Sequence, residues 1–470
     1  MISYAREQSQ YGVKRRDFLI GAGAAGASLA AANVLGMGSG VQKSRPSGNK
    51  SVAGLKVPPM EKVRVAVIGA GARGSGHVSQ LSQIDGVEMV AICDNHLPTL
   101  ERAVNNVVKN HKRPAPLAFG KNKDDYKHML ERKDIDCVFI ATPWEEHVRM
   151  AVDAMNSGKH AFTEVPAAYT VEDCWKLVDA AEKNQKNCMM MENVCYGREE
   201  LLVLNMVRNG AFGDLVHGEA AYIHDLRSQM NEIEHGTGSW RTYHYVKRNG
   251  NLYPTHGLGP IAQYMDINRG DAFDYMTSIG SLSLSRELYA KAKYPEGHER
   301  RSLKFACGDM NTSIIRTKKG RTIMVQWDEQ LPRPYTRHNY LQGTKGAWTG
   351  YADRAAFEAH VGDGAEEWKE GEGLKPLYDK HEHPLFKRMG EEAKRNGGHG
   401  GMDFLMLWRI IYCLRNGLPL DQDVYDGAAW SVVAPLSEVS VANRGRSMDF
   451  PDFTRGEWKT RSPLDNMTNA

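Results

Sequence analysis

His256 closes the run Tyr253-Pro254-Thr255-His256 and opens a segment, 256–268, with helical spacing. An imidazole titrates near neutral pH and a helix N-terminus disfavours its charged form, so His256 is the first candidate for a general base. The ordinary alternative is a helix cap or a core histidine with its nitrogens bonded. Tyr196 and Tyr253 bring phenols that can move a proton at a carbon acid or a leaving oxygen, unless they are packed rings with bonded hydroxyls. Glu164 ends an apolar run and can orient a ligand or exchange a proton. Arg241 suits contacts to hydroxyl or acetamido oxygens, or else a surface ion pair. Trp144, Trp240 and Tyr335 offer faces for stacking. His381, His383 and His399 stand in the loop-like stretches "HEHP" and "GGHGG" without a ligand set of acids or cysteines, so no metal is expected.

The elements that must position these residues begin at Gly69-Ala70-Gly71-Ala72-Arg73-Gly74, which fits G-x-G-x-x-G directly after the apolar run 63–68 and before a helical segment near Ser75. The glycines allow a tight turn and close backbone approach, with the helix N-terminus directed at a pyrophosphate. A second run, 87–93, ends at Asp94, where a carboxylate can accept from ribose hydroxyls and favours NAD over NADP. Apolar runs at 115–119, 137–142, 160–164 and 187–192 then alternate with helical segments at 97–109, 125–132, 146–157, 171–183 and 198–209. That alternation predicts a parallel, doubly wound sheet with ligands at the carboxyl ends of its strands. Residues just past those ends are site candidates: Trp144, Glu145 and His147, then Glu164 and Val165, then Glu192, Asn193 and Tyr196. Beyond residue 210, runs at 216–225, 275–284, 303–317, 321–327 and 339–342 predict a mostly antiparallel open sheet with helices 256–268 and 402–416 packed on it. The expected fold is α/β, a Rossmann dinucleotide-binding domain over 61–210 followed by an α+β substrate domain over 211–470. An open sheet is also a candidate interface for a homo-oligomer.

A first fit to the same glycine motif, Gly21 to Gly26, has only Phe18-Leu19-Ile20 before it and no acid at the required distance after it. It follows Lys14-Arg15-Arg16, and no charge stands between Phe18 and Gly36. That layout predicts a twin-arginine signal over 1–40 and a periplasmic or secreted protein, with 41–60 as a linker. Its many small residues make the segment too weakly apolar for a permanent membrane span. A length of 470 residues with 41% hydrophobic and 25% charged residues describes about two soluble domains, and a net charge of +3 excludes a nucleic-acid footprint. Seven scattered cysteines without a C-x-x-C pair read as buried free thiols.

At the end of the fifth run, many dehydrogenases of the glucose-fructose oxidoreductase and inositol dehydrogenase family carry Glu-Lys-Pro, whose lysine assists hydride chemistry at a sugar hydroxyl. This sequence reads Glu164-Val165-Pro166 instead. With that departure, "PWEEH", "ENVCYGR", "YIHDLR", "WRTYHY", "NGNLYPTHGLGP" and "GGHGGMDF", the chain resembles glycoside hydrolase family 109, the NAD-dependent α-N-acetylgalactosaminidases, from about residue 61 to 460. The resemblance implies cofactor contacts at Gly69, Gly71, Ala72, Arg73, Gly74, Asp94, Trp144, Glu145, Glu146, His147, Glu164, Val165 and Asn193. It implies substrate contacts at Tyr222, Arg241, Tyr253, Pro254, Thr255, His256 and Tyr335. The segment between Arg227 and Trp240 is short for the family. The implied activity is release of a terminal N-acetylgalactosamine, with His256, Tyr253, Tyr196 and Glu164 as the catalytic candidates. Transient oxidation at C3 of the sugar acidifies the C2 proton; elimination at C1, water addition and re-reduction then complete the turnover. The alternatives are a periplasmic sugar oxidoreductase, which a lysine at position 165 would favour, and a non-catalytic sugar-binding protein.

Overall fold

The computed structural model describes residues 43–358 and 367–465. The segment read as an export signal lies outside the described residues. Among them, a first sheet is built from β1 (Val63–Ile68), β2 (Val87–Cys93), β3 (Leu117–Phe119), β4 (Cys137–Ile140), β5 (His160–Thr163) and β6 (Cys188–Met190), in the order β3-β2-β1-β4-β5-β6. Every pairing in it is parallel. β4 and β5 are buried throughout, as expected of strands covered on both faces. The order reverses between β1 and β4, so a crevice opens beyond their carboxyl ends. Helices α1 (Ala72–Leu81) and α2 (Trp144–Asn156) start at that edge.

The second sheet contains β7 (Leu215–Ile223), β8 (Phe273–Gly280), β9 (Asn311–Thr317), β10 (Thr322–Asp328), β11 (Tyr340–Gly343), β12 (Gly346–Thr349), β13 (Arg354–Phe357), β14 (Lys369–Glu370) and β15 (Met448–Asp449), in the order β14-β13-β12-β11-β7-β10-β9-β8-β15. Only the β7–β10 pair is parallel. Helix α3 (Thr255–Tyr264) lies on β7. Its first turn presses so closely that a Cβ on Gly257 would stand 2.3 Å from the Ala221 nitrogen. That contact brings His256 beside Tyr222 of β7, with ring centroids 5.1 Å apart. Helix α4 (Met402–Asn416) returns to the first domain and packs on α1.

Two expectations need correction. The run 303–317 is not one strand: β9 begins only at Asn311, because the Asp309 carboxylate takes the N–H groups of Leu284 and Ser285, at 2.9 and 2.7 Å, in a turn. Residues 43–60 are bound to the body rather than acting as a linker. Arg45 pairs with Glu182 and Glu457 at 3.1 and 2.8 Å, Ser51 donates to Glu457, and Val52 N–H donates to the Tyr425 hydroxyl. All seven cysteines are free and buried. No helix among the described residues is long and apolar enough to cross a membrane.

Candidate functional site

One cleft of about 1070 Å³ runs from the glycine turn past the ends of β4 and β5 to the first turn of α3. On the glycine side, a Cβ on Gly74 would stand 1.8 Å from the Gly69 carbonyl oxygen, so only glycine closes this turn. α1 begins without a side-chain cap, and its Ala72 N–H meets the carbonyl of Gly236, at 2.9 Å, from a loop that crosses the turn. The Asp94 carboxylate, at the end of β2, is fixed by N–H groups of Ala70 and His96, each at 2.8 Å. Asn193 lines the cleft with a buried Oδ1 that has no partner among the described residues. A tight glycine turn, a helix start without a side-chain cap, an oriented carboxylate and an orphaned amide oxygen fit a dinucleotide: Gly69 to Gly74 for the pyrophosphate, Asp94 for a ribose, and Asn193 for a polar ring substituent.

Beneath this seat, Arg73 donates from Nε to Glu164 at 2.6 Å and from Nη1 and Nη2 to Asp403 at 2.6 and 3.2 Å. His77 meets the same Glu164 oxygen at 2.6 Å, and Asn193 donates to Asp403 at 2.5 Å. Burial would raise the Glu164 carboxyl, but the charge of Arg73 and the hydrogen bond from His77 outweigh it and hold the group well below the usual carboxylate range. Glu164 is therefore an ionised anchor rather than a group poised to exchange protons near neutrality. His147 places its nitrogens 2.9 Å from the Pro166 carbonyl and 2.8 Å from that of Thr142, tying the ends of β5 and β4. Burial lowers its pKa, so the neutral ring donates to one of them at a time. Trp144, Glu146, His147 and Val165 line the cleft; Glu145 turns away to meet His244 at 2.9 Å.

On the sugar side, His256 Nδ1 lies 2.6 Å from Glu192 Oε1, and Glu192 is fully buried. A carboxylate only accepts, so the contact places a proton on Nδ1, and of the two neutral tautomers it selects the one whose Nε2 is the acceptor. Tyr253 packs with ring centroids 5.1 Å from His256 and 5.8 Å from Trp144. Burial pushes its phenol above the ordinary range, against the charge of Arg241. The Arg241 guanidinium rests 4.9 Å from the Tyr253 ring centroid and makes no hydrogen bond among the described residues. Behind it, 3.9 Å away, lies Glu329, buried and bonded to the Tyr245 hydroxyl. Tyr222 and Tyr335 complete the wall. Pro254 and Thr255 are buried but do not line the cleft.

The structure removes Tyr196 from the chemistry. Its buried hydroxyl donates to Asp421 at 3.1 Å, and Asp421 is also held by Arg409, so the phenol serves a structural ion pair outside the cleft. Sequence reasoning placed Glu192 only as a strand-end residue, and missed Asp403, Glu329 and His77. Asp403 sits inside the block "GGHGGMDF", which marked it without a role; Glu329 and His77 carried no signal. No group of three or more His, Cys, Asp or Glu placed to hold a metal occurs among the described residues.

Two family descriptions match the chain: "Oxidoreductase family, NAD-binding Rossmann fold" over residues 63–192, and "Glycosyl hydrolase 109, C-terminal domain" over residues 196–460. An alpha-N-acetylgalactosaminidase of Shewanella oneidensis is 59% identical over 455 residues, covering 97% of this chain and 99% of that protein. A glycosyl hydrolase family 109 protein of Shewanella sp. strain MR-4 is similar at the same identity and coverage. Among solved structures, the chain is similar to an oxidoreductase domain protein from Kribbella flavida, with TM-score 0.64 and 16% identity over 83% of this chain and 100% of that one. Levoglucosan dehydrogenase in complex with NADH gives TM-score 0.62 at 17% identity over the same shares, a likeness of fold. On the sequence matches to both halves, this chain belongs to glycosyl hydrolase family 109.

Proposed function

We propose that the chain releases terminal α-N-acetylgalactosamine from a glycan and leaves its NAD unchanged over a full turnover. The observation that carries this reading is the shared cleft: the glycine turn and the His256–Glu192 pair line one cavity, with Val165 on its wall instead of a lysine. NAD, when bound there, would supply transient oxidation at C3 of the sugar, which acidifies C2; loss of the C2 proton to water accompanies departure of the group at C1, and water adds at C1 before hydride returns to C3. His256 offers its Nε2 lone pair to a hydroxyl proton while Glu192 holds the ring in that tautomer. Tyr253 keeps its phenolic proton and serves as a donor to the leaving oxygen. Arg241 turns unpaired N–H groups to the acetamido carbonyl, steadied by the charge of Glu329.

The test uses p-nitrophenyl α-N-acetylgalactosaminide in deuterated water, with NMR of the released sugar. Deuterium at C2, together with loss of activity when NAD is stripped, is the expected result. Sugar released without C2 exchange and without NAD dependence would refute the elimination route and direct attention to a carboxylate pair. NADH accumulating with free sugars would make the protein a dehydrogenase.

Export is part of the same reading, supported by Arg15-Arg16-Asp17 and then an uncharged, small-residue stretch from Phe18 to Gly36. Replacing both arginines by lysine is expected to leave the protein in the cytoplasm while wild type reaches the periplasm or medium. Cell fractionation decides it, and equal export of both forms would remove the twin-arginine assignment.

A further inference from the structure

The segment 231–238 leaves the second domain and crosses the dinucleotide seat. Its two ends are pinned. The Asn231 carbonyl accepts from the Tyr294 hydroxyl at 2.6 Å, the Glu232 carbonyl from Arg300 Nη2 at 2.7 Å, and the Thr237 carbonyl from Gln229 Nε2 at 2.7 Å. Between these anchors, His235 and Gly236 carry the chain onto the first domain. The Gly236 carbonyl takes the Ala72 N–H, at 2.9 Å, where α1 begins. Glycine faces glycine at this crossing: a Cβ on Gly71 would stand 3.1 Å from the Gly236 Cα, and a Cβ on Gly236 would stand 3.2 Å from the Gly71 Cα. The His235 ring lies against that of His96, centroids 4.4 Å apart, and its Nε2 is 3.8 Å from Asp94 Oδ1. The segment thus touches both the glycine turn and the end of β2, the two places that fit a pyrophosphate and a ribose. Its outer side is open to solvent: Ile233 is 68% exposed and the His235 side chain 49%. Gly236 and Gly238, with φ of 81° and 88°, hold the left-handed backbone that glycine adopts at little cost.

We infer that residues 233–238 are a part of the cofactor site contributed by the second domain, a strap that roofs the dinucleotide and gates its exchange. The strap spans the seat from Ala72 to Asp94 on the side open to solvent, so a dinucleotide bound there leaves when the strap lifts. Lifting breaks the Gly236–Ala72 hydrogen bond and parts His235 from His96. Both contacts are made with protein rather than with cofactor, so they set the barrier to exchange more than the depth of the bound state. A short span with two pinned ends and two glycines can swing as a unit without unfolding its neighbours. The assignment goes beyond the glycosidase reading, because it concerns only the hold on NAD. A cofactor that ends each turnover as it began is served by a site that rarely exchanges it.

The experiment loads full-length wild type, Gly236→Ala and His235→Ala with NADH and follows the fluorescence change after a chase with excess NAD; equilibrium dialysis gives Kd. Alanine at 236 sets a Cβ against Gly71 on a left-handed backbone, and alanine at 235 takes the ring away from His96. Each is expected to raise the release rate about tenfold, the effect of one lost hydrogen bond or ring contact. Kd is expected to move less than about threefold, because uptake quickens together with release. Release at the wild-type rate in both variants overturns the strap. So does a Kd that weakens in step with release, which makes these residues ordinary contacts on the bound cofactor. Wild-type protein that binds no NADH overturns the dinucleotide seat itself, and that failure is distinct from inactivity on glycosides because no sugar is present. Thermal melts identify a folding defect, and the half-exposed His235 keeps the test decisive if Gly236→Ala does not fold.

Discussion

Replacing His256 by glutamine lowers kcat by about 10³-fold, within the range a positioned general base supplies, while the melting temperature changes little. The side chain lies at the first turn of α3, mostly shielded but touching the cleft, so its loss removes a proton acceptor without opening the core. Glu192 sharpens the prediction. Its bond to Nδ1 fixes the tautomer that leaves Nε2 as acceptor, and Glu192→Gln offers an amide that can stabilise the wrong tautomer. The expected cost is about 10²-fold in kcat, because the base is misdirected rather than removed. The pair acts as one unit, so Glu192→Gln adds nothing in a His256→Gln background. Kinetics of the two single variants and the double variant on an aryl glycoside check this. A double variant a further 10²-fold slower would show Glu192 acting on substrate independently.

The parts of this site that were legible in the sequence are those written in local patterns. A glycine motif between a strand and a helix, and an acid at the end of the next strand, require only neighbours in the chain, and both fall where the pattern put them. The alternation of apolar runs with helices likewise placed Trp144, Val165 and Asn193 at strand ends on the cleft. What could not be read was decided by partners far away in sequence. Tyr196 follows a strand end just as Asn193 does, but the turn Asn193–Tyr196 rotates its ring toward Asp421, 225 residues on, and a buried Arg409 fixes that acid. Residues 43–60 showed no period because they form neither helix nor strand; side chains of Arg45, Ser51 and Val52 hold them to the body through Glu182, Glu457 and Tyr425. The helices Lys375–His381 and Pro384–Asn396 were missed in a charged stretch where packing rather than a clear apolar stripe decides the structure.

Asp403→Asn is expected to destabilise the protein and loosen its hold on NAD together. Asp403 stands in the first turn of α4, almost fully buried, and accepts from Arg73, Asn193 and His399. Through Arg73 it ties α4 to the glycine turn, and through Asn193 it fixes an amide in the cofactor half of the cleft. Removing one member of such a buried pair leaves a charge short of its partner, at about 3–5 kcal/mol when fully enclosed. Arg73 is partly exposed and retains Glu164, so about 2 kcal/mol is the expected loss here. The acid dependence follows in sign. Burial would raise the Asp403 carboxyl, but the His399 hydrogen bond and the charge of Arg73 outweigh it and hold it well below the usual range. A depressed folded pKa contributes stability that is present above the unfolded value, about 4, and is lost as pH falls below it. The melting-temperature gap between wild type and Asp403→Asn should therefore be full at pH 7 and close progressively below pH about 4. Release of bound NADH, followed by its fluorescence, should be faster in the variant at pH 7. An unchanged release rate alongside lowered stability would confine Asp403 to joining the two domains, and an unchanged melting temperature would remove it from that role as well.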